Sequence, residues 1–464
     1  HRLGEAVEAR RCGRLDACLR NPEVNILYDA ATERRLTLDV DCADLPYILR
    51  GYFAFKRRLP FGYVDLVWGS GPDPRYMLRV RPTKWRNWND YRTPRSSLRH
   101  ISEAVHSGMY RINPDQEQGD FYPIVINRRS VVPGTTYYDP NGHVLVVTDV
   151  REDGTVFLID GHPDGSLTWK RFGEEFDLGP KFLWGGFKNF RTQSWDGTNV
   201  VRALNRDLPY FSDTQQWDTT LWHSAMPARP LRLPPGAPRG STPPGLYHLW
   251  VRQQLAQPNV ARDPLRDFRE QVQGLCRAVQ DRADAVTIAL GLNLHQQNHP
   301  DTLPFNIYGT SGDWELYSTP SRDARLKASV REIDEGITTL PTDSPLRAQL
   351  RQAWEEERVR PECQYNYTAS NGTRIPLSID AVLDRLFALS FDPYHCPELR
   401  WGAASGSQEL STCADGPAKL GWYRAEQRLR NQIDRQYGVR TPLEMGPETP
   451  PDVDFRRALG VAAR

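Results

Sequence analysis

Two strand-like runs separated by a turn, over residues 143–160, are the feature that most restricts how this chain can fold. Residues 143–149 and 155–160 each read as a β-strand, and Glu152-Asp153-Gly154 between them is typical of a tight turn. We therefore expect an antiparallel hairpin. If residues 151 and 154 pair across the turn, His143 lies opposite His162, and Asp160 lies diagonal to His143 on the same sheet face.

Cys42 stands where an extended segment gives way to a helical pattern. Residues 36–41 precede it, and the apolar residues that follow at helical spacing are Leu45, Ile48, Leu49, Tyr52 and Phe53. We expect the helix to begin at about residue 42, so that unpaired N–H groups and the helix dipole lower the pKa of the thiol. The same N–H groups would stabilise an oxyanion. Taken alone, a small buried cysteine beside an apolar helix is the simpler interpretation.

The chain order of thiol, imidazole and polar group is the one that a thiolate nucleophile requires. Cys42 would attack, His143 would act as general base and then as general acid, and Asp160 or His162 would hold the imidazole in its working tautomer. The sequence leaves open which of the two orients His143. A shift of one residue in the turn would remove them from the shared face.

Two segments also resemble one group of enzymes. Residues 41–60, DCADLPYILRGYFAFKRRLP, resemble the Asp-Cys-helix-Leu-Pro block of NlpC-type cell-wall cysteine peptidases. Residues 133–160, PGTTYYDPNGHVLVVTDVREDGTVFLID, resemble their Pro-Gly…Gly-His-Val hairpin and that of the related CHAP amidases. The resemblance implies a papain-like α+β domain, in which a cysteine-headed helix packs on an antiparallel sheet. It also implies cleavage of amide bonds, commonly in peptidoglycan stem peptides.

The remaining chain separates by composition. Residues 1–200 are expected to form the catalytic domain with an insertion at about 61–132, and residues 201–245 a linker or strap, because 228–245 is dense in proline. Residues 246–464 are expected to be mostly helical. Helices should begin near Pro264, Pro345 and Ser378. A last helix should carry Trp422, Ala425, Leu429 and Ile433.

Charge and composition limit the partners. The 59 basic and 58 acidic side chains give a net charge of +1, so no global field favours nucleic acid or an anionic membrane. No apolar run reaches the ~20 residues that a membrane-spanning helix needs. No C-x-x-C pair occurs, and we expect neither a metal nor another cofactor. We expect a peptide or cell-wall peptide substrate, with a protein partner at the carboxy-terminal helices as a further option.

The cysteines bear on the compartment. If Cys42 is free, six of the seven cysteines remain, and Cys12 with Cys18 and Cys396 with Cys413 are suited to form disulfides. Disulfides would place the protein outside the cytoplasm, in a periplasm or secreted. Seven reduced and buried cysteines are the alternative. The absence of an initial Met fits a processed or trimmed amino terminus.

Three aromatic side chains alternate with polar ones in residues 84–92, KWRNWNDYR. If Trp85, Trp88 and Tyr91 are exposed, they would stack on sugars or on peptide planes of a substrate. If they pack beneath a loop, they belong to the core.

The sequence thus predicts a cysteine-dependent amide hydrolase that acts through a thioester. A transglutaminase-like acyltransferase, which the Cys-x-Asp pattern more distantly resembles, would use the same residues with an amine acceptor. An inactive papain-like binding or scaffold protein is the other alternative.

Overall fold

The computed structural model describes residues 1–71, 73–226, 243, 245–304, 307–309 and 311–431. They group into two compact units. The amino-terminal unit comprises His1–Phe172, Phe176–Met226 and Leu246–Ala261, and the carboxy-terminal unit comprises Gly173–Glu175 and the described residues from Arg262 onward. Most of the proline-rich stretch, and Ile433 of the last predicted helix, lie outside the described residues. The fold is mixed α and β, with antiparallel sheets and a helical carboxy-terminal region, as the sequence predicts.

The amino-terminal unit contains both helices and strands. The helices are α1 (Arg2–Glu8), α2 (Leu15–Leu19), α3 (Ala30–Glu33), α4 (Leu45–Arg57), α5 (Pro94–Ala104), α6 (Thr219–Trp222) and α7 (Leu246–Leu255). The strands are β1 (Gly62–Ser70), β2 (Leu78–Asn87), β3 (Phe121–Pro123), β4 (Thr136–Asp139), β5 (His143–Val150), β6 (Val156–Gly161), β7 (Leu167–Arg171), β8 (Gly186–Phe190), β9 (Gln193–Trp195) and β10 (Val200–Arg202). The predicted insertion at 61–132 therefore contains the antiparallel pair β1–β2, helix α5 and strand β3.

A six-stranded antiparallel sheet forms the centre of this unit, in the order β3-β8-β4-β5-β6-β7. Both of its faces are covered. Val144 and Val146 pack in the same core cluster as Ile48 of α4, whereas Leu145 packs in the cluster of Trp250 of α7. Because neighbouring side chains on a strand point to opposite faces, β5 is buried on both sides and reads as a nearly continuous apolar run.

The hairpin of β5 and β6 forms as predicted, but its turn is one residue longer than expected. Val150 pairs with Val156, which corrects the predicted pairing of residues 151 and 154. A register shift lies between Val147 and Asp149, and beyond it Val146 pairs with Ile159. The bulge adds one residue to β5, which offsets the extra residue in the turn. Pairing beyond the bulge therefore returns to the register that the sequence predicts. The end of the hairpin that carries His143 therefore keeps the predicted register.

The carboxy-terminal unit is built from helices and one small strand pair. Its helices are α8 (Pro264–Gly291), α9 (Gly312–Tyr317), α10 (Pro320–Thr338), α11 (Pro345–Glu357), α12 (Ile379–Asp384), α13 (Pro397–Arg400), α14 (Pro417–Ala425) and α15 (Gln427–Arg430), and its strands are β11 (Gln364–Thr368) and β12 (Arg374–Ser378). The helix starts predicted at Pro264 and Pro345 are confirmed. The predicted cap is also confirmed, since the Ser378 side chain accepts a hydrogen bond from the Ala381 N–H.

Three disulfides join Cys12 to Cys18, Cys276 to Cys363 and Cys396 to Cys413, and Cys42 is free. The two short-range pairs are those predicted from the sequence. The third joins α8 to the segment before β11 over a sequence separation of 87 residues, which spacing alone does not indicate. None of the described helices combines the length and the apolar character that crossing a bilayer requires.

Candidate active site around Cys42 and His143

Cys42 lies in a turn that precedes α4, and not in the helix itself. Helix α4 begins at Leu45, three residues later than predicted. The carboxylate of Asp41 accepts hydrogen bonds from the N–H groups of Ala43 and Asp44, and Asp44 Oδ1 accepts one from the Asp41 N–H in return. This reciprocal pair closes residues 41–44 into a turn, and it occupies two of the N–H groups that the sequence analysis assigned to an oxyanion.

The prediction that the pKa of Cys42 is lowered is wrong. Burial is the largest influence and raises the pKa of the thiol well above its ordinary value, and the negative charge of Asp41 raises it further. Asp160 and Asp44 act in the same direction, while the N–H of Val144 opposes them. Since the helix begins at Leu45 and not at the cysteine, its dipole does not compensate for these effects. These surroundings favour the neutral thiol over the thiolate.

The sulfur lies at an opening between two strands. Pairing of β5 with β6 stops at Val146 and Ile159, although β5 begins at His143 and β6 continues to Gly161. We call residues 143–145 and 160–161 the β5–β6 gap. Cys42 Sγ lies 3.7 Å from the carbonyl oxygen of Gly142, at the β5 side of this gap.

Gly161 permits the approach of the Cys42 turn from the β6 side of the gap. A Cβ added to Gly161 would lie 2.6 Å from the carbonyl oxygen of Asp41, closer than any side chain tolerates. The absence of a side chain at this position is thus what lets residues 41 and 42 enter between the strand ends.

The His143 ring is held by Asp160 across the same gap. His143 Nε2 lies 2.7 Å from Asp160 Oδ2, and both side chains are buried. A carboxylate accepts at Nε2, so the ring proton is on that nitrogen and the basic lone pair is on Nδ1. Of the two orienting residues that the sequence left open, Asp160 is the one within hydrogen-bond distance of the His143 ring nitrogen.

His162 and Thr168 support Asp160 from its other side. Thr168 on β7 donates its hydroxyl to Asp160 Oδ1. His162 Nε2 lies 3.1 Å from Thr168 Oγ1 and 3.6 Å from Asp160 Oδ2, and its ring stacks on that of His143 with centroids 5.8 Å apart. Thr168 was not predicted as a site residue. The register of β6 with β7, in which Asp160 pairs with Thr168, identifies it.

Asp160 is an ionised carboxylate in a buried position. Burial is the largest influence and by itself raises its pKa, but the charge of His162 and the hydrogen bond and charge of His143 outweigh it. The net effect holds the pKa of Asp160 far below its ordinary value. A buried acid with fixed negative charge is suited to stabilise a positively charged imidazolium at His143.

The insertion contributes side chains beside the cysteine turn. Tyr110 donates its hydroxyl to the carbonyl oxygen of Ala43 at 2.7 Å, and Tyr76 donates to that of Asn141 at 3.1 Å. Gly142, which follows Asn141, has a positive φ of 86° and passes close to the Tyr76 ring. The insertion therefore packs on both segments that border the sulfur.

The aromatic residues proposed to bind substrate lie on and after β2. Trp85 is half-exposed, and its Nε1 donates to the carbonyl oxygen of Gln118 at 2.9 Å. Trp88 and Tyr91 are partly buried against the core cluster that contains α4, and Tyr91 hydrogen-bonds the hydroxyl of Tyr63. Trp85 presents the most surface of the three, and a role in substrate binding stays a prediction for all of them.

Comparisons with known proteins leave the family open: no protein-family model, no curated protein and no solved structure matches the chain.

Proposed function

We propose that this protein is a cysteine-dependent amide hydrolase with a papain-like catalytic domain. The observation that carries the proposal is the placement of the free Cys42 thiol at the β5–β6 gap, where Asp160 holds the His143 ring. Cys42 is the nucleophile, His143 the general base and then acid, and Asp160 the residue that fixes the ring tautomer. The resemblance of residues 41–60 and 133–160 to NlpC-type peptidases and CHAP amidases agrees with these roles.

The resting thiol sets the order of proton transfer. Because the pKa of Cys42 is raised, the proposed reaction starts from the neutral thiol and not from a preformed thiolate–imidazolium pair. The thiol proton passes to His143 Nδ1 as sulfur attacks the substrate carbonyl, and Asp160 stabilises the resulting imidazolium. The imidazolium then protonates the leaving amine, and water deacylates the thioester with His143 again acting as base.

The substrate we propose is a peptide, with the stem peptide of peptidoglycan as the preferred case, outside the cytoplasm. The three disulfides are compatible with an oxidising compartment. The choice of peptidoglycan depends on the sequence resemblance.

Trapping the acyl-enzyme tests the proposal without knowledge of the natural substrate. The full chain is incubated with a panel of peptide thioesters, and the Cys42 adduct is located by mass mapping of tryptic peptides. Cys42→Ala should abolish the adduct, and His143→Ala should lower its rate of formation about 10²–10⁴-fold, the usual contribution of a general base.

The chain offers a matched control for His143. His100 Nε2 lies 2.7 Å from Asp65 Oδ1, the same pairing at the same distance, outside the β5–β6 gap. His100→Ala should leave the rate unchanged. No adduct at Cys42 with any thioester, or equal rates for His143→Ala and the parent, would refute the proposal. Conversion of the thioester mainly to the amide of an added primary amine would assign the transglutaminase-like activity instead.

A further inference from the structure

The carboxy-terminal unit contains a second buried cluster of imidazoles and carboxylates. His299 follows α8, Asp392 and His395 precede α13, and Glu426 lies between α14 and α15. His299 Nε2 lies 2.6 Å from Asp392 Oδ2, and His395 Nε2 lies 3.6 Å both from Asp392 Oδ2 and from Glu426 Oε2. All four side chains are at most 2% exposed. Two nitrogens and two carboxylates thus converge in the interior.

Several of these polar atoms lack the hydrogen bonds that burial demands. Among the described residues, His395 Nε2 and both carboxylate oxygens of Glu426 have no hydrogen-bond partner. Burying such groups without a partner destabilises the fold, and more so when the group is charged. His395 Nε2 and Glu426 Oε2 face each other at 3.6 Å within the cluster, so a ligand placed there would satisfy both.

The nearest cation does not supply the missing partner. Arg430 Nη1 lies 3.5 Å from Glu426 Oε2, but it donates to the carbonyl oxygen of Tyr423 at 2.8 Å. Its Nη2 donates to Gln427 Oε1 at 2.7 Å. The guanidinium therefore adds positive charge near Glu426 while its short hydrogen bonds point elsewhere.

Both imidazoles are oriented in the way that metal-binding histidines are. His395 Nδ1 lies 3.1 Å from Asp415 Oδ2, and His299 Nδ1 lies 2.6 Å from the carbonyl oxygen of Pro300. Nε2 of each ring faces the cluster. An ion bound there would replace the proton that His299 Nε2 donates to Asp392, while the Nδ1 contact keeps each ring oriented. Trp422 stacks on the His299 ring with centroids 4.9 Å apart, which restrains it further.

A disulfide fixes the supporting carboxylate. Cys396, adjacent to His395, is bonded to Cys413, which stands two residues before Asp415. The N–H of Cys396 also donates to Asp415 Oδ2 at 3.1 Å. The covalent link thus holds Asp415 against the ring that it orients.

We propose that His299, Asp392, His395 and Glu426 bind one divalent transition-metal ion, with Zn²⁺ as the preferred ion. The ligand set of two imidazoles and two carboxylates suits this ion, and its full enclosure indicates a structural role instead of a catalytic one. Ligand atoms around tetrahedral Zn²⁺ lie about 3.3–3.4 Å apart, given bonds of about 2.0–2.1 Å. His299, Asp392 and Glu426 already offer ligand atoms within 4.8 Å of one another, and the two 3.6 Å separations to His395 Nε2 approach this value. Binding requires His299 and Asp392 to move apart and His395 to move closer to the other three.

Titration of the full, disulfide-intact chain with Zn²⁺ tests the proposal, carried out on a Cys42→Ser variant so that no free thiol competes. We expect about one Zn²⁺ per chain, as for a structural site. Glu426→Gln keeps the shape of the side chain but removes its charge, and it should weaken binding about tenfold or more. Absence of stoichiometric binding, or unchanged affinity in Glu426→Gln, would overturn the assignment.

A neighbouring histidine provides the control. His295 stands four residues before His299 and has the spacing of a helical metal-binding pair, but it lies outside the described cluster. His295→Gln should bind Zn²⁺ as the parent does, and a loss equal to that of Glu426→Gln would move the site away from the cluster. Should Glu426→Gln not fold, the visible spectrum of the Co²⁺-loaded chain tests the metal site instead. Bands of tetrahedral Co²⁺ with nitrogen and oxygen ligands support the site, and a purely octahedral aquo spectrum refutes it.

Discussion

Replacing Asp160 by asparagine should reverse the tautomer of the His143 ring, and the structure explains why. Thr168 donates its hydroxyl to Asp160 Oδ1, so in the variant the amide oxygen should take that position. The amide NH₂ then faces His143 Nε2, which lies 2.7 Å from Oδ2 in the parent. A ring nitrogen that faces a donor must be unprotonated, and the ring proton moves to Nδ1. No lone pair then remains to accept the proton of Cys42.

The size of the effect follows from the cost of the opposite amide orientation. Turning the amide would bring NH₂ against Thr168 Oγ1 and deprive that buried hydroxyl of its acceptor, which costs about 1–3 kcal/mol. At 1.36 kcal/mol per factor of ten, the inactive tautomer should exceed the active one about 5- to 160-fold. The wrong tautomer alone should lower the rate of Cys42 acylation by that factor. Loss of the carboxylate charge that stabilises the imidazolium should bring the total towards about 10⁴, the loss caused by the equivalent change in a serine-protease triad.

The tautomer can be measured directly by ¹⁵N NMR of the histidine ring nitrogens, with His143 assigned from a His143→Gln chain. Asp160→Asn should carry the proton on Nδ1. Adding Thr168→Val removes the donor that fixes the amide, so the double variant should regain the Nε2 proton and part of the acylation rate. Thr168→Val alone should keep the parent tautomer, because both oxygens of Asp160 accept. An Nε2 proton in Asp160→Asn, or no recovery in the double variant, would refute this reasoning.

Three further predictions concern stability and reactivity. Replacing both Cys276 and Cys363 by Ala should lower the free energy of unfolding by about 4–5 kcal/mol, since the bond closes a loop with a separation of 87 residues. Guanidinium unfolding, followed by hydrogen exchange in α8, measures this loss of stability. A loss below about 1 kcal/mol would contradict the loop-entropy argument. Alkylation of Cys42 should be slow at neutral pH and accelerate as pH rises, because its pKa is raised and only the thiolate reacts. A rate that levels off below pH ~7, far under the ordinary pKa of ~8.5, would contradict a raised pKa. Gly161→Ala should destabilise the chain by about 1–3 kcal/mol and displace the cysteine turn, because the added Cβ meets the Asp41 carbonyl oxygen. An unchanged melting temperature and an unchanged rate of Cys42 alkylation would count against that contact.

The hairpin shows what alternation does and does not determine. Side chains of a strand alternate between the two faces of the sheet, which is why His143, Asp160 and His162 could be grouped from the sequence once a hairpin was predicted. It does not determine how many residues a turn consumes, and the predicted pairing of residues 151 and 154 is wrong by one. The grouping is right because a bulge between Val147 and Asp149 restores the register, and this bulge could not be predicted from the sequence.

The predicted start of α4 is three residues too early, although local signals mark the true start. Pro46 is the second residue of the helix, a position that proline favours, and Asp44 is its N-cap. The apolar spacing extrapolates to Cys42, but the Asp41 carboxylate binds the N–H groups of residues 43 and 44 and delays the helix. Local hydrogen bonding of this kind competes with helix formation, and here it decides the electrostatics of the thiol.

The carboxy-terminal cluster was beyond prediction for a different reason. No metal is expected from the sequence, because the ligand motifs that a sequence reveals have short, fixed spacings. His299 and Asp392 are 93 residues apart, and Glu426 is 34 residues beyond Asp392. The one short-range signal is the His-x-x-x-His spacing of His295 and His299, and of this pair only His299 belongs to the cluster. Convergence of such distant residues depends on helix packing, which periodicity does not specify.

The raised pKa of Cys42 has a consequence for the folded chain in an oxidising compartment. Thiol–disulfide exchange proceeds through a thiolate, so a partly buried thiol with a raised pKa attacks disulfides slowly. Once the chain has folded, Cys42 would therefore take little part in reshuffling the three disulfides. The surroundings that hold back its attack on a substrate would also keep the nucleophile reduced.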